Sequence, residues 1–254
     1  MVGRALIFVY GVVAYGMFFG TILYAVGFIE KWGVPKAIDD GVEGPIGVAV
    51  LVNLSLLGLF AVQHMIMARP GFKRWWTRII PAAMERSTFV ALASAILMLL
   101  FWQWRPMRGI VWDVEHPVGR AALVALSLGG FVIVLYSSFL IDHFDLFGLR
   151  QVWLHVRNRT YFQHPFMERS LYRLVRHPLM LGFLIAFWST PTMTAGHLLF
   201  ALGTTGYILI GTRMEERDLV RLHGEEYEAY RRRTPMLLPV PRRGEARVAV
   251  EVGA

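Results

Sequence analysis

The 254-residue sequence contains no cysteine. That excludes disulfide frameworks, thiolate metal sites, iron–sulfur clusters and cysteine nucleophiles together, and leaves His, carboxylates, Tyr, Arg or a cofactor to carry any chemistry. Charge is scarce too: Asp, Glu, Lys and Arg make up 17% of the residues, against about 25% in an ordinary soluble domain. Hydrophobic residues reach 56% and the mean hydropathy is +0.48, so hydrocarbon is part of the expected solvent. No G-x-G-x-x-G segment follows a strand-like run, which argues against a Rossmann-type nucleotide fold. Internal repeats and low-complexity stretches are not evident.

What the sequence does contain is a series of long uncharged runs. Residues 5–29 carry no charge and exceed the roughly 20 positions that a helix needs to cross a bilayer. They are also too long for a cleaved signal, whose apolar region spans only about 7 to 15 residues. Further runs cover 46–68, interrupted only by His64, then 88–104 and 121–141. Residues 179–212 hold no acidic or basic side chain except His197 and are too long for one crossing; Pro191 and Gly196 divide them into a helical hairpin. The expected fold class is an all-α integral membrane protein with about six transmembrane helices. Its expected parts are a four-span bundle over 1–141, a unit over 142–238 made of a long loop, the hairpin and a C-terminal helix, and a flexible basic tail over 239–254.

The positive charges test that count independently. Segments 69–87 and 142–178 are rich in Arg and Lys, whereas 30–45 and 105–120 are poorer. By the positive-inside rule both termini and the 142–178 loop face the cytoplasm. The net charge of +8 is then explained by topology and attraction to anionic lipid. Nucleic acid is not an expected partner, because the basic residues are split among membrane-flanking segments instead of forming one patch. The pattern Gly16-Met-Phe-Phe-Gly20 suits close helix association, either within the bundle or between chains.

Chemistry is expected on the cytoplasmic side. The 142–178 connection carries Phe144, Trp153, Tyr161 and Phe166, enough apolar surface to pack on the bundle. Its histidines at 143, 155, 164 and 177 match no helical metal-ligand spacing, so no metal is expected. Tyr172, Arg173, Arg176, His177 and Pro178 lead straight into an apolar helix. They suit basic residues snorkelling at the interface, and equally an anion receptor at a helix start. After the hairpin come Glu215 and Glu216, with His223, Tyr227 and Tyr230. These read either as a solvated helix laced by ion pairs or as carboxylates held at the membrane surface for a ligand. Glu216, His223, Tyr227 and Tyr230 share one helical face if the helix continues through Gly224.

This combination resembles the membrane-embedded methyltransferases of the isoprenylcysteine carboxyl methyltransferase superfamily. The likeness covers 172–239: Arg176-His177-Pro178 with Gly182, then Glu215, Glu216, Leu219, Gly224, Tyr227, Tyr230 and Leu238-Pro239. It implies a cytoplasmic site for S-adenosylmethionine built from His164, Tyr172, Arg173, Arg176, His177, Pro178, Gly182, Glu215, Glu216, Tyr227 and Tyr230. Met180 and His223 depart from the family pattern, where Tyr and Phe are usual, and bear on the substrate contacts. A second likeness, through the segment 142–151, the segment 177–188, Gln63-His64, Arg69-Pro70 and Lys73-Arg74-Trp75-Trp76, is to bacterial methanethiol S-methyltransferases. It implies methylation of a small thiol, methanethiol to dimethyl sulfide, in the inner membrane of a bacterium. The alternatives are a prenyl-cysteine or lipid carboxylate as acceptor, and a non-enzymatic transport or accessory protein. A thiol must lose its proton before it attacks, and His64, Asp142 and His143 are the candidate catalytic residues.

Overall fold

A computed structural model describes residues 2–162 and 167–239. The chain runs through α1 (Val2–Glu30), α2 (Ile46–Met67), a short α3 (Pro70–Trp76), α4 (Glu85–Gln103), β1 (Ile110–Asp113), α5 (Pro117–Leu140), α6 (His143–Leu146), α7 (Leu149–Val156), α8 (Pro178–Trp188), β2 (Thr192–Thr194), α9 (Ala195–His223) and α10 (Glu225–Arg233). Among the described residues α1, α2, α4, α5 and α9 are long and apolar enough to cross a membrane. The expected sixth crossing is not among them: α8, where it was expected, has 11 residues covering about 16 Å, short of the roughly 20 residues a full crossing needs. This helix packs against α9, with the bend at 189–194 between them. The two-stranded β1–β2 pair, with Ile110 opposite Thr194 and Asp113 opposite Thr192, was not expected from the sequence. It joins the chain after α4 to the bend between α8 and α9.

Large apolar side chains remain on the outside of the bundle, among them Val9, Leu51, Val132 and Phe139, as a lipid solvent demands. Inside, Phe28, Leu100, Phe101, Trp104, Phe131, Phe187 and Phe200 form the main core. Asn53, fully buried on α2, closes the end of α4: its Nδ2 donates to the Arg105 carbonyl at 2.8 Å and its Oδ1 accepts from the Arg105 amide at 2.9 Å. That satisfies backbone groups that the helix end leaves open.

The tightest helix seam is α5 against α8. A Cβ added to Gly182 would lie 2.6 Å from the Gly130 carbonyl oxygen, and one added to Gly130 would lie 2.6 Å from the Ala186 amide nitrogen. The Gly182 of the motif is therefore a packing residue that lets two backbones touch. Gly16 and Gly20 have open space around them among the described residues, so their face is not a contact inside this bundle.

Gly182→Ala is expected to destabilise the protein by about 1–3 kcal/mol or more, because backbone on both sides of the seam has to move. Thermal unfolding of the detergent-solubilised protein measures this, and an unchanged midpoint would contradict the seam.

Candidate active site

Pro178 occupies the first turn of α8, where its missing N–H costs nothing. Immediately before it, Arg176 and His177 are both buried. Arg176 Nε donates to Glu216 Oε1 at 2.6 Å, and its Nη1 donates to the carbonyls of Arg231 at 3.0 Å and Thr234 at 2.5 Å. His177 Nε2 lies 3.2 Å from the same Glu216 oxygen, and its Nδ1 lies 3.8 Å from Glu215 Oε2. The amides of Arg176 and His177 donate to the carbonyls of Pro235 and Met236. One buried guanidinium thus holds the start of α8, the lower part of α9 and the segment after α10 together.

The helix does not continue through Gly224. That residue sits at φ +58°, where a Cβ is disfavoured, and α9 ends at His223. The expected single face of Glu216, His223, Tyr227 and Tyr230 is therefore absent. Instead α10 folds back, burying Tyr227 and Tyr230, and the Tyr230 hydroxyl donates to the Tyr172 carbonyl at 2.5 Å. Burial first, then nearby carboxylates, push the Tyr172, Tyr227 and Tyr230 phenols well above their ordinary range, so all three stay protonated. Glu215, at 52% side-chain exposure, presents the open carboxylate of this group. Arg173 is not brought in: it is exposed and its Nε donates to the Glu168 carbonyl. His164 lies outside the described residues.

The three candidate catalytic residues occupy different settings. Asp142 adopts a left-handed conformation at φ 78° and caps α6, accepting from the Asp145 amide at 3.1 Å. His143 is buried with both ring nitrogens bonded, Nδ1 to Ser138 Oγ and Nε2 to the Tyr15 hydroxyl, each at 2.8 Å. It stacks on Phe139 at 4.3 Å, and burial pushes its imidazole below the usual range. His143 therefore pins α6 between α1 and α5. His64 is different: its Nδ1 is buried and has no hydrogen-bond partner among the described residues, and its ring lies among Phe60, Phe89 and Tyr207 at 5.2, 4.6 and 5.9 Å.

Sequence reasoning gave no role to two residues of this end, although Arg69 belongs to the Arg69-Pro70 motif. Arg69 Nη1 pairs with Asp218 at 2.6 Å and ties α2 and α3 to α9. Arg86, in the first turn of α4, lies with its guanidinium carbon 5.0 Å from the Phe89 ring on which His64 also packs. Its only signal in the sequence was a basic residue flanking a span. Next to it a cavity of 560 Å³ opens between α3, α4, α6 and α7, with Lys73, Glu85, Arg86, Asp145 and Tyr161 on its wall.

The NnrU protein family matches this sequence over residues 52–239. The chain belongs to the NnrU protein family. This NnrU-family chain is 55% identical to the methanethiol S-methyltransferase of Mycobacterium tuberculosis, over 94% of its own length and 98% of the relative's. It is 51% identical to methanethiol S-methyltransferase 1 of Bradyrhizobium diazoefficiens, over 91% and 81% of the two chains. Nurim of Bos taurus is 29% identical over 90% and 89%. No solved structure matches it. The likeness seen in the motifs thus extends along nearly the whole chain.

Glu216→Gln is expected to lower stability by about 3–5 kcal/mol, since it strips the counter-charge from a buried guanidinium. Guanidinium-free thermal unfolding in detergent is the measurement, and wild-type stability in this variant would show that the pair does not hold α8 to α9.

Proposed function

We propose that this NnrU-family protein is an S-adenosylmethionine-dependent thiol methyltransferase that converts methanethiol to dimethyl sulfide. The observation that carries the reading is its 55% identity, over 94% of the chain, to a protein named methanethiol S-methyltransferase. The residues fit a charged, hydroxyl-rich cosubstrate. Buried polar atoms on Gln63, His64, Trp76 and Gln151 lack partners among the described residues, a cost that a bound ligand removes.

The sulfonium cosubstrate supplies a methyl group on a positively charged sulfur, and in-line displacement by a thiolate neutralises that charge. The protein's part is to orient, to exclude water and to take one proton. His64 accepts the thiol proton on its unpartnered Nδ1. The rings of Phe60, Phe89 and Tyr207 shield that step from water. Glu215 offers its open carboxylate to the cosubstrate's hydroxyls, beside His177 and Tyr172. Arg176, Glu216, Pro178, Tyr227 and Tyr230 hold those groups in register, while Asp142 and His143 fix the turn into α6. The catalytic unit over 142–238 is completed by His64 and Arg86 from the preceding spans. The protein sits in the bacterial cytoplasmic membrane with its basic end, which carries α3, α6 and α7, facing the cytoplasm. The open Gly16 and Gly20 face is the surface for self-association.

Purified protein given S-adenosylmethionine and methanethiol is expected to release dimethyl sulfide, scored by headspace gas chromatography, and His64→Ala is expected to cut the rate about 10²–10⁴-fold. Full activity in that variant would remove His64 from the proton transfer. The cysteine-free sequence permits a direct topology test. A single cysteine at Ile79 should react with an impermeant maleimide only after the cells are opened, and one at Val42 should react in intact spheroplasts; the reverse pattern would invert the orientation.

A further inference from the structure

The 560 Å³ cavity falls within the roughly 300–1,000 Å³ range of small-molecule sites. Its wall is ionic: Glu85 lies within electrostatic reach of Lys73 and Arg86, and several charged ends are unbonded. The terminal nitrogens of Arg86, the Lys73 ammonium, the Glu85 carboxylate and the Arg159 guanidinium make no hydrogen bond or ion pair among the described residues. Arg86 Nε is spent on the Leu146 carbonyl at 2.7 Å, and the guanidinium rests against Phe89, so the outer fork is fixed in place and unused. Asp145 on the same wall is engaged by Arg150, Gln151 and the Tyr161 hydroxyl at 3.1–3.2 Å, which anchors the wall without closing it. Burial, and then the neighbouring Arg86, push the Lys73 ammonium below its usual range, the behaviour of a cation held near another with too little counter-charge.

Cations and a carboxylate whose hydrogen-bonding ends are unbonded, around one cavity, select its ligand. A simple anion would leave Glu85 facing it, and a simple cation would meet Arg86 and Lys73. A zwitterion satisfies both. A planar carboxylate also matches the fork of a fixed guanidinium in two parallel hydrogen bonds.

We propose that this cavity binds the α-amino acid end of the sulfonium cosubstrate, with its carboxylate on Arg86 and Lys73 and its ammonium on Glu85. The inference rests on the methyltransferase reading above and adds the site of the cosubstrate's charged end. It assigns that end to the first turn of α4 and to α3, outside the Arg176–Glu216 cluster whose hydrogen bonds are already used within the chain. Arg86 and His64 pack on the same Phe89 ring. A carboxylate seated on Arg86 therefore places the sulfonium, a short carbon chain away, beside the proton acceptor. Arg86 also lies within electrostatic reach of Glu215, so the two ends of the cosubstrate meet groups that are close together.

The test compares two ligands by calorimetry on the full chain in detergent: S-adenosylhomocysteine, and methylthioadenosine, which keeps the adenosine and lacks the amino acid. Arg86→Gln is expected to weaken S-adenosylhomocysteine by about 10- to 100-fold, as for a lost hydrogen-bonded charge contact, and to leave methylthioadenosine unchanged. Arg86→Lys should retain part of the affinity, and Glu85→Gln should repeat the selective loss. Equal weakening of both ligands in Arg86→Gln would mean that the residue only supports the fold, and unchanged S-adenosylhomocysteine binding would mean that the carboxylate lies elsewhere; either overturns the inference alone. Failure of the wild type to bind S-adenosylhomocysteine would overturn the methyltransferase reading and this inference with it.

Discussion

In hydrocarbon, apolar side chains gain nothing by leaving the solvent, so helices associate through close backbone contact and hydrogen bonds. The contact of α5 with α8 at Gly130 and Gly182 answers that constraint, and Ser127 Oγ adds a hydrogen bond to the Ala186 carbonyl at 2.9 Å. With only 11 residues, α8 has little surface of its own to fix its place. The seam on α5 fixes it, and with it the position of Arg176 and His177 at its start. Those two residues then reach Glu216 on α9 and the carbonyls after α10. The site at the basic end therefore inherits its geometry from a packing contact within the bundle.

At that end charged groups fall into two kinds. Arg176 and Glu216 are buried and saturated by the chain itself. Lys73, Glu85 and the terminal nitrogens of Arg86 line an open cavity and make no hydrogen bond or ion pair among the described residues. Leaving such groups unpaired is costly, which is why structures retain them mainly where a ligand completes them. The histidines divide in the same way: His143 spends both ring nitrogens on structure, while His64 keeps one unpartnered in an aromatic setting.

Much of this was legible from the sequence. Uncharged runs located α1, α2, α4, α5, α8 and the start of α9 to within a few residues, because a lipid solvent leaves helix length and hydropathy little freedom, while α9 runs on to His223, past the end of the uncharged run at 212. The motif residues Arg176, His177, Glu215 and Glu216 do come together. Three features were not legible. The β1–β2 pair joins segments far apart in the chain, with no alternating pattern to announce it. Gly224 ends α9 instead of passing through it, so Tyr227 and Tyr230 arrive by a fold-back that no helical wheel describes. Arg86 looked like any basic residue flanking a span, since nothing in its neighbourhood distinguishes a cation facing lipid headgroups from one facing a cavity.

The sequence by itself determined that the chain is a bundle of membrane-crossing helices and which end is basic, because both follow from properties summed along one segment: hydropathy, length and charge. Tertiary structure alone decided which glycine is a packing residue, which histidine retains an unsatisfied nitrogen and which arginine lines the cavity. Those depend on distances between residues remote in the chain. A hydrogen bond or a backbone contact exists only within a few ångströms, and no local pattern encodes that proximity.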